Sequence, residues 1–258
     1  MAALQLSKEE LLYLSVLTGT DNLWGFEDPF QEKSEAEIRA DILELQNTLL
    51  RKGCLEAKID GFFSVTAAYQ SLLETSMKSE RVYILCSSQL ESEHAQLRFF
   101  VNGGTVIRYQ YNEEALLSFS SKDLMKAEIV SFFGDVNSSE QPYSLVTGVS
   151  RLRRMGSLSK QHFLQELRSS GCEEELALLI ADGLQGNSVF CSLLAYDRKD
   201  NQEVLAGKVV TLKFYGGSLM VTPDNKTTDS VRFTCLDHVK LLSVLNELLG
   251  KEKEVGII

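Results

Sequence analysis

The chain is short of proline, basic charge, histidine and long apolar runs, and each shortage excludes something. Three Pro and 17 Gly among 258 residues exclude a collagen-like or low-complexity chain. No stretch approaches the roughly 18 consecutive apolar residues of a bilayer-spanning helix, so no stable membrane insertion is expected. The opening, Met1-Ala-Ala-Leu-Gln-Leu-Ser-Lys-Glu-Glu, lacks a basic segment followed by an apolar one. No signal peptide is read there, and the expected location is cytoplasmic. Lys and Arg number 26 against 36 Asp and Glu, a formal net charge of −10. A surface of that sign argues against a nucleic-acid partner, because phosphate binding needs concentrated Lys and Arg.

Cys54, Cys86, Cys172, Cys191 and Cys235 are odd in number and show no paired spacing. Neither a disulfide framework nor a zinc site is indicated, and buried free thiols are expected. His94, His162 and His238 are the only histidines and sit in three separate segments. None belongs to a nucleophile or metal motif, and no phosphate-binding glycine loop precedes a helix. No cofactor, metal or enzymatic activity is expected.

What the chain does have is periodicity. Ser7 with Glu10 and Ser34 with Glu37 are capping-box patterns, opening helices that Gly19 and Gly53 can close. Leu11, Leu14 and Leu17 form the apolar stripe of the first helix, and Ile38, Ile42, Leu45 and Leu49 that of the second. Asp60-Gly61 between short apolar pieces predicts a small hairpin, followed by a helix over 65–78 with Leu72 and Leu73 inward. Strand-like runs follow at 81–87, 95–102 and 105–111, then a helix over 122–133 ended by Gly134. In the second half, helices are predicted over 159–170 and 172–185. Strands are predicted at 189–196, 208–215 and 218–222, and a last helix at 236–249.

The order helix, three-strand meander, helix therefore occurs twice. Gly103-Gly104 lines up with Gly216-Gly217 at an offset of 113, which places Phe99 on Leu212 and Val106 on Leu219. Phe119-Ser120-x-x-Asp123 lines up with Phe233-Thr234-x-x-Asp237 at 114. A three-stranded sheet with helices leaves an edge to cover. The expected fold class is therefore α+β, with two pseudo-symmetric lobes of mostly antiparallel meander and helices sharing a central sheet. The lobes are 1–134 and 135–258, together one compact unit, with 135–156 as the linker.

Several features carry competing readings. Arg151, Arg153 and Arg154 form the one basic cluster, read as solvated surface. Glu173-Glu174-Glu175 suits the positive end of a helix better than a metal. Residues 34–78 have the rhythm of a winged helix, which makes a transcriptional regulator an alternative. Residues 1–80, however, hold seven Lys or Arg against fourteen acids, which opposes DNA binding. An enzyme would need titratable groups to converge, such as His238 with Asp237 or Glu247. An immunity or interaction protein of a secreted toxin system shares the acidic, motif-free character. On the last helix Leu241, Leu242, Leu245, Leu248 and Leu249 make a stripe, with Leu236, Val239 and Val244 elsewhere on the wheel. Such a helix lies deep in a core or covers a partner.

In pattern, most of the chain resembles the EspG family of type VII (ESX) secretion chaperones. The resemblance is carried by Leu4-x-Leu6-Ser7-x-Glu9-Glu10-Leu11-x-x-Leu14-x-x-Leu17-x-Gly19 and by Leu49-Leu50-x-x-Gly53-x-Leu55. Asp60-Gly61-x-Phe63-x-Val65, the Leu72-Leu73 helix and the two meander-plus-helix lobes complete it. A Lys- and Ser-rich chain with few Pro departs from the Ala- and Arg-rich mycobacterial members and suits a low-GC Gram-positive relative. The resemblance implies a non-enzymatic cytosolic chaperone that binds a helical secreted protein or protein pair and keeps it soluble for export. It also implies that the partner's helical tip docks on the loop 88–94 and on the final helix. Gln89, Leu90 and Glu91 are the expected contacts in the loop, and Leu241, Leu245 and Leu248 those on the helix.

Overall fold

The computed structural model describes residues 3–19, 28–59, 61–88, 96–112, 114–134, 136, 144–185, 188–199, 202–214, 217–224 and 229–250. The fold is α+β, with eight helices and a large antiparallel sheet among those residues. In chain order the elements begin β1 (Ala3–Leu6), α1 (Lys8–Leu17), α2 (Glu35–Arg51), β2 (Leu55–Ala57), β3 (Phe63–Val65) and α3 (Ala67–Met77). Next come β4 (Arg81–Ser87), β5 (Gln96–Asn102), β6 (Thr105–Asn112), β7 (Glu114–Ser120) and α4 (Lys122–Phe133). Then follow β8 (Ser144–Gly148), α5 (Val149–Met155), α6 (Lys160–Ser169) and α7 (Glu174–Gln185). The chain closes with β9 (Val189–Lys199), β10 (Gln202–Phe214), β11 (Gly217–Pro223), β12 (Ser230–Cys235) and α8 (His238–Gly250).

Both capping boxes form. Ser7 Oγ accepts from the Glu10 N–H at 3.2 Å, and Glu10 Oε2 accepts from the Ser7 N–H at 2.8 Å. Ser34 and Glu37 repeat the exchange at the start of α2. The reciprocal bonds satisfy N–H groups that a helix start leaves without intrahelical partners. Four strands were not expected from the sequence. β1 holds four residues, and β7 follows β6 without a glycine turn. β8, with α5 behind it, occupies what reads as linker, and β12 precedes the last helix. Each meander thus has four strands, not three.

Ten strands follow the order β1-β7-β6-β5-β4-β9-β10-β11-β12-β8, and β2-β3 form a separate hairpin. Every pair whose register is described is antiparallel. The β5–β6 hairpin closes on Asn102↔Thr105 and the β10–β11 hairpin on Phe214↔Gly217. Both partners are 112 apart, not the expected 113. One residue of slip exchanges the two faces of a strand, so the matches drawn at 113 do not hold in these ladders.

Two units divide the chain. Unit 1 comprises Met1–Tyr83, Ser92–Met125 and Tyr196–Val204; unit 2 comprises Ile84–Glu91, Lys126–Ala195 and Leu205–Ile258. In unit 1 the buried side chains include Leu11 and Leu14 of α1, Leu49 of α2 and Leu72 and Leu73 of α3. The meander strands contribute Phe99, Val106 and Leu117. Arg81 Nε donates to Asp197 Oδ1 at 2.6 Å, and Arg198 Nη1 donates to the Met77 carbonyl at 2.6 Å. Burial opposes the charged Arg81, but its hydrogen bonds to Asp197 and Tyr83 outweigh that and hold its pKa above the ordinary arginine value.

In unit 2 one core joins Phe163 and Leu167 of α6 and Leu176 and Ile180 of α7 to Leu145, Leu212, Leu219 and Phe233 of the strands. Leu248 of α8 packs on the other face of β10 at Gly207. A Cβ at Gly207 would run into Leu248 Cδ1. Because Gly207 and Leu212 differ in parity, they point to opposite faces.

Candidate partner-binding surface

The six expected contacts fall into two groups with different outcomes. Gln89, Leu90 and Glu91 lie outside the described residues, as does His94. The start of their loop is well fixed within unit 2. The Ser88 N–H donates to the Phe190 carbonyl at 2.9 Å, and the Phe190 N–H donates to Ser88 Oγ at 3.0 Å. Cys191 Sγ stands 3.8 Å from Ser87 Oγ. The Phe190 side chain at this tie is 41% exposed. Phe190 was not foreseen, because pairing of β4 with β9 across about a hundred residues leaves no local signal.

Leu241, Leu245 and Leu248 are 0%, 1% and 8% exposed. They are buried core residues of unit 2. Of the two readings of this helix, deep in a core or over a partner, burial selects the core. The i, i+4, i+7 stripe is what a helix lying on a sheet requires, and the missing Cβ of Gly207 lets Leu248 approach the strand. The outward positions of α8 are His238, Val239, Ser243, Asn246 and Glu247, all exposed, with Val239 its one exposed large apolar side chain.

The residues weighed for chemistry have local partners. Asp237 Oδ1 accepts the Lys240 N–H at 2.7 Å and so caps α8, which is why it stands beside His238. Ser159 Oγ lies 2.9 Å from His162 Nδ1 at the start of α6, another cap. Arg151 Nη2 bonds Glu166 Oε2 at 3.2 Å, and Arg168 holds Glu174 with two nitrogens. Arg153 and Arg154 are exposed, as read. Burial pushes the Cys172 thiol up to about 11, with Glu173 adding to the effect. Burial likewise raises Cys54, helped by Glu10 and opposed by Lys52.

Two clefts in unit 1 are polar. One of about 290 Å³ lies among Glu9, Glu10, Asp41, Glu44 and Glu114, where Lys52 bonds Glu10 at 2.7 Å and Lys33 bonds Asp41 at 2.8 Å. The other, about 310 Å³, is lined by Gln70, Ser71, Glu74, Thr75, Lys78 and Asn102, with Ala67. Among the described residues no three His, Cys, Asp or Glu gather to hold a metal ion. No described helix is long and apolar enough to cross a membrane.

No protein-family model matches this chain. No curated protein matches it in sequence. Fourteen chains of solved structures match, among them the Mycobacterium tuberculosis type VII secretion system chaperone EspG5 in complex with the PE25-PPE41 dimer. The likeness covers 98% of this chain and 98% of that chain, with a TM-score of 0.66 and 7% sequence identity. The fold is EspG-like. At that identity the likeness is one of architecture, and it extends from one end of the chain to the other.

Proposed function

We propose that this protein is a non-enzymatic cytosolic chaperone or adaptor of the EspG type, binding a helical substrate of a type VII secretion system and keeping it soluble for export. The observation that carries the reading is the end-to-end likeness to EspG5, a chaperone captured with the PE25-PPE41 dimer. In this reading two similar lobes, 1–134 and 135–258, make one binding body. The partner is a helical protein or protein pair whose exposed apolar tip would otherwise aggregate. Release at the secretion machine proceeds by competition and needs no cofactor.

The contact region consists of Gln89, Leu90 and Glu91, together with Phe190 and the outer face of α8 around Val239. Apolar anchors inside a polar rim would set affinity and specificity. The test is co-purification from the native cell with the bound protein identified. A small helical secreted protein is expected in the wild-type eluate, and Leu90→Asp with Phe190→Asp should remove it while circular dichroism stays unchanged. Recovery of no helical secreted protein, or equal recovery with both substitutions, overturns the assignment.

A further inference from the structure

β10 is 13 residues long, yet β11 pairs only with Val210–Phe214. From Gln202 to Val209 the edge on the β11 side meets no strand among the described residues. β11 goes on instead with β12, through Thr222↔Arg232 and Pro223↔Val231. Gln202 to Ala206 are exposed one after another, and Leu205 is 47% exposed. Because side chains alternate across a strand, that run is open on both faces. Edges of this kind are normally blunted by proline, a bulge or central charge. Residues 202–209 contain no proline, and their charges, Glu203 and Lys208, flank an uncharged middle, Val204–Gly207.

A row of backbone N–H and C=O groups at strand spacing is matched by another strand. We propose that this edge pairs antiparallel with β10 of a second copy of the chain, about a two-fold axis at Leu205. Both strands of a symmetric pair present the same edge, so facing residues share parity and the axis passes through a residue. With the axis at Leu205, Val204 faces Ala206, Glu203 faces Gly207 and Gln202 faces Lys208. The centre is apolar, the ends are polar, and no like charges meet. An axis at Ala206 sets Lys208 against Val204 and Glu203 against Val209. An axis at Val204 sets Glu203 against Leu205. The charges therefore select Leu205. Seven facing residues make an interface below the roughly 1,200 Å² of a stable complex, so the dimer is weak and concentration-dependent.

Sedimentation of the full chain across a concentration series tests this. A monomer–dimer equilibrium is expected in roughly the micromolar range. Leu205→Lys opposes two ammonium groups across the axis and should weaken dimerisation about tenfold or more, with the circular dichroism unchanged. Leu205→Cys should yield a disulfide-linked dimer on mild oxidation and Val204→Cys should not, because only residue 205 faces its own copy. The same native thiols are present in both. A wild type that stays monomeric overturns the proposal and leaves the edge to a strand of another protein. A dimer insensitive to Leu205→Lys also overturns it.

Discussion

The two meanders, β4–β7 and β9–β12, share a wiring and differ in how completely their second strands are paired. Each runs four antiparallel strands into a helix, and each outermost strand takes on one short earlier strand, β1 on β7 and β8 on β12. The strand order consequently reads alike from either edge. In the first meander β5 is paired with β6 along its whole length, Gln96↔Tyr111 to Asn102↔Thr105. In the second, β10 outruns β11 by eight residues. Equal wiring does not imply equal edges. Length added to one strand of a hairpin creates backbone groups that its neighbour cannot satisfy.

The helices that end the meanders make the sharpest test. α4 buries Met125, Ile129 and Phe133, while α8 buries Leu241, Leu245, Leu248 and Leu249. Leu245→Asp places an unpaired carboxylate in the core of unit 2 and should cost about 4–5 kcal/mol or more. Loss of the cooperative thermal transition is the readout; a folded variant that merely lost a partner would return Leu245 to the surface. Ile129→Ala and Leu245→Ala should each cost about 2–5 kcal/mol in urea unfolding, which compares the two helices on equal terms. Gly207→Val forces a branched side chain against Leu248 and should cost about 1–3 kcal/mol. The partner change Leu248→Ala in the same chain should recover part of that loss, seen as a non-additive double-mutant cycle. Gly103→Val, at φ +54° in the first hairpin turn, should cost about 1–2 kcal/mol, and no more, because open space surrounds it.

The smallest effect is one of pH. Cys172, buried in unit 2, has a folded thiol pKa raised to about 11 from 9.0. A raised folded pKa means that the contribution is complete below pH 9 and is lost as pH rises toward about 11. The urea midpoint should fall over that interval, and Cys172→Ala should flatten the fall. Cys54 in unit 1 is raised as well, but Lys52 pulls against the shift. Cys54→Ala should therefore flatten the fall less.

Local chemistry was legible in the chain; long-range consequences were not. Ser7 with Glu10 and Ser34 with Glu37 announced two helix starts because a capping box is contained in four residues. The hairpin at β2–β3 and the turn at Gly103-Gly104 were readable for the same reason. β7 was missed although Ala115 and Leu117 alternate inward, because the turn from β6 carries neither Gly nor Pro. β8 is five residues set among Ser, Asn and Pro, too short for its alternation to stand out. On α8 the leucine stripe was visible, but a stripe that meets a sheet and one that meets a partner have the same spacing. Only burial separates them. The loop at Gln89–Glu91 could be named from resemblance alone, whereas Phe190 needed the β4–β9 pairing.

Unit 1 draws its last segment, Tyr196–Val204, from far along the chain. On a ribosome adding roughly 5–20 residues per second, several seconds separate synthesis of Met125 from that of Tyr196. During that interval Arg81 has no Asp197 to bond and β4 has no β9 beside it. The nascent chain thus carries a bare strand through much of its own synthesis, and its unpaired edge is an aggregation hazard for as long as β9 is missing.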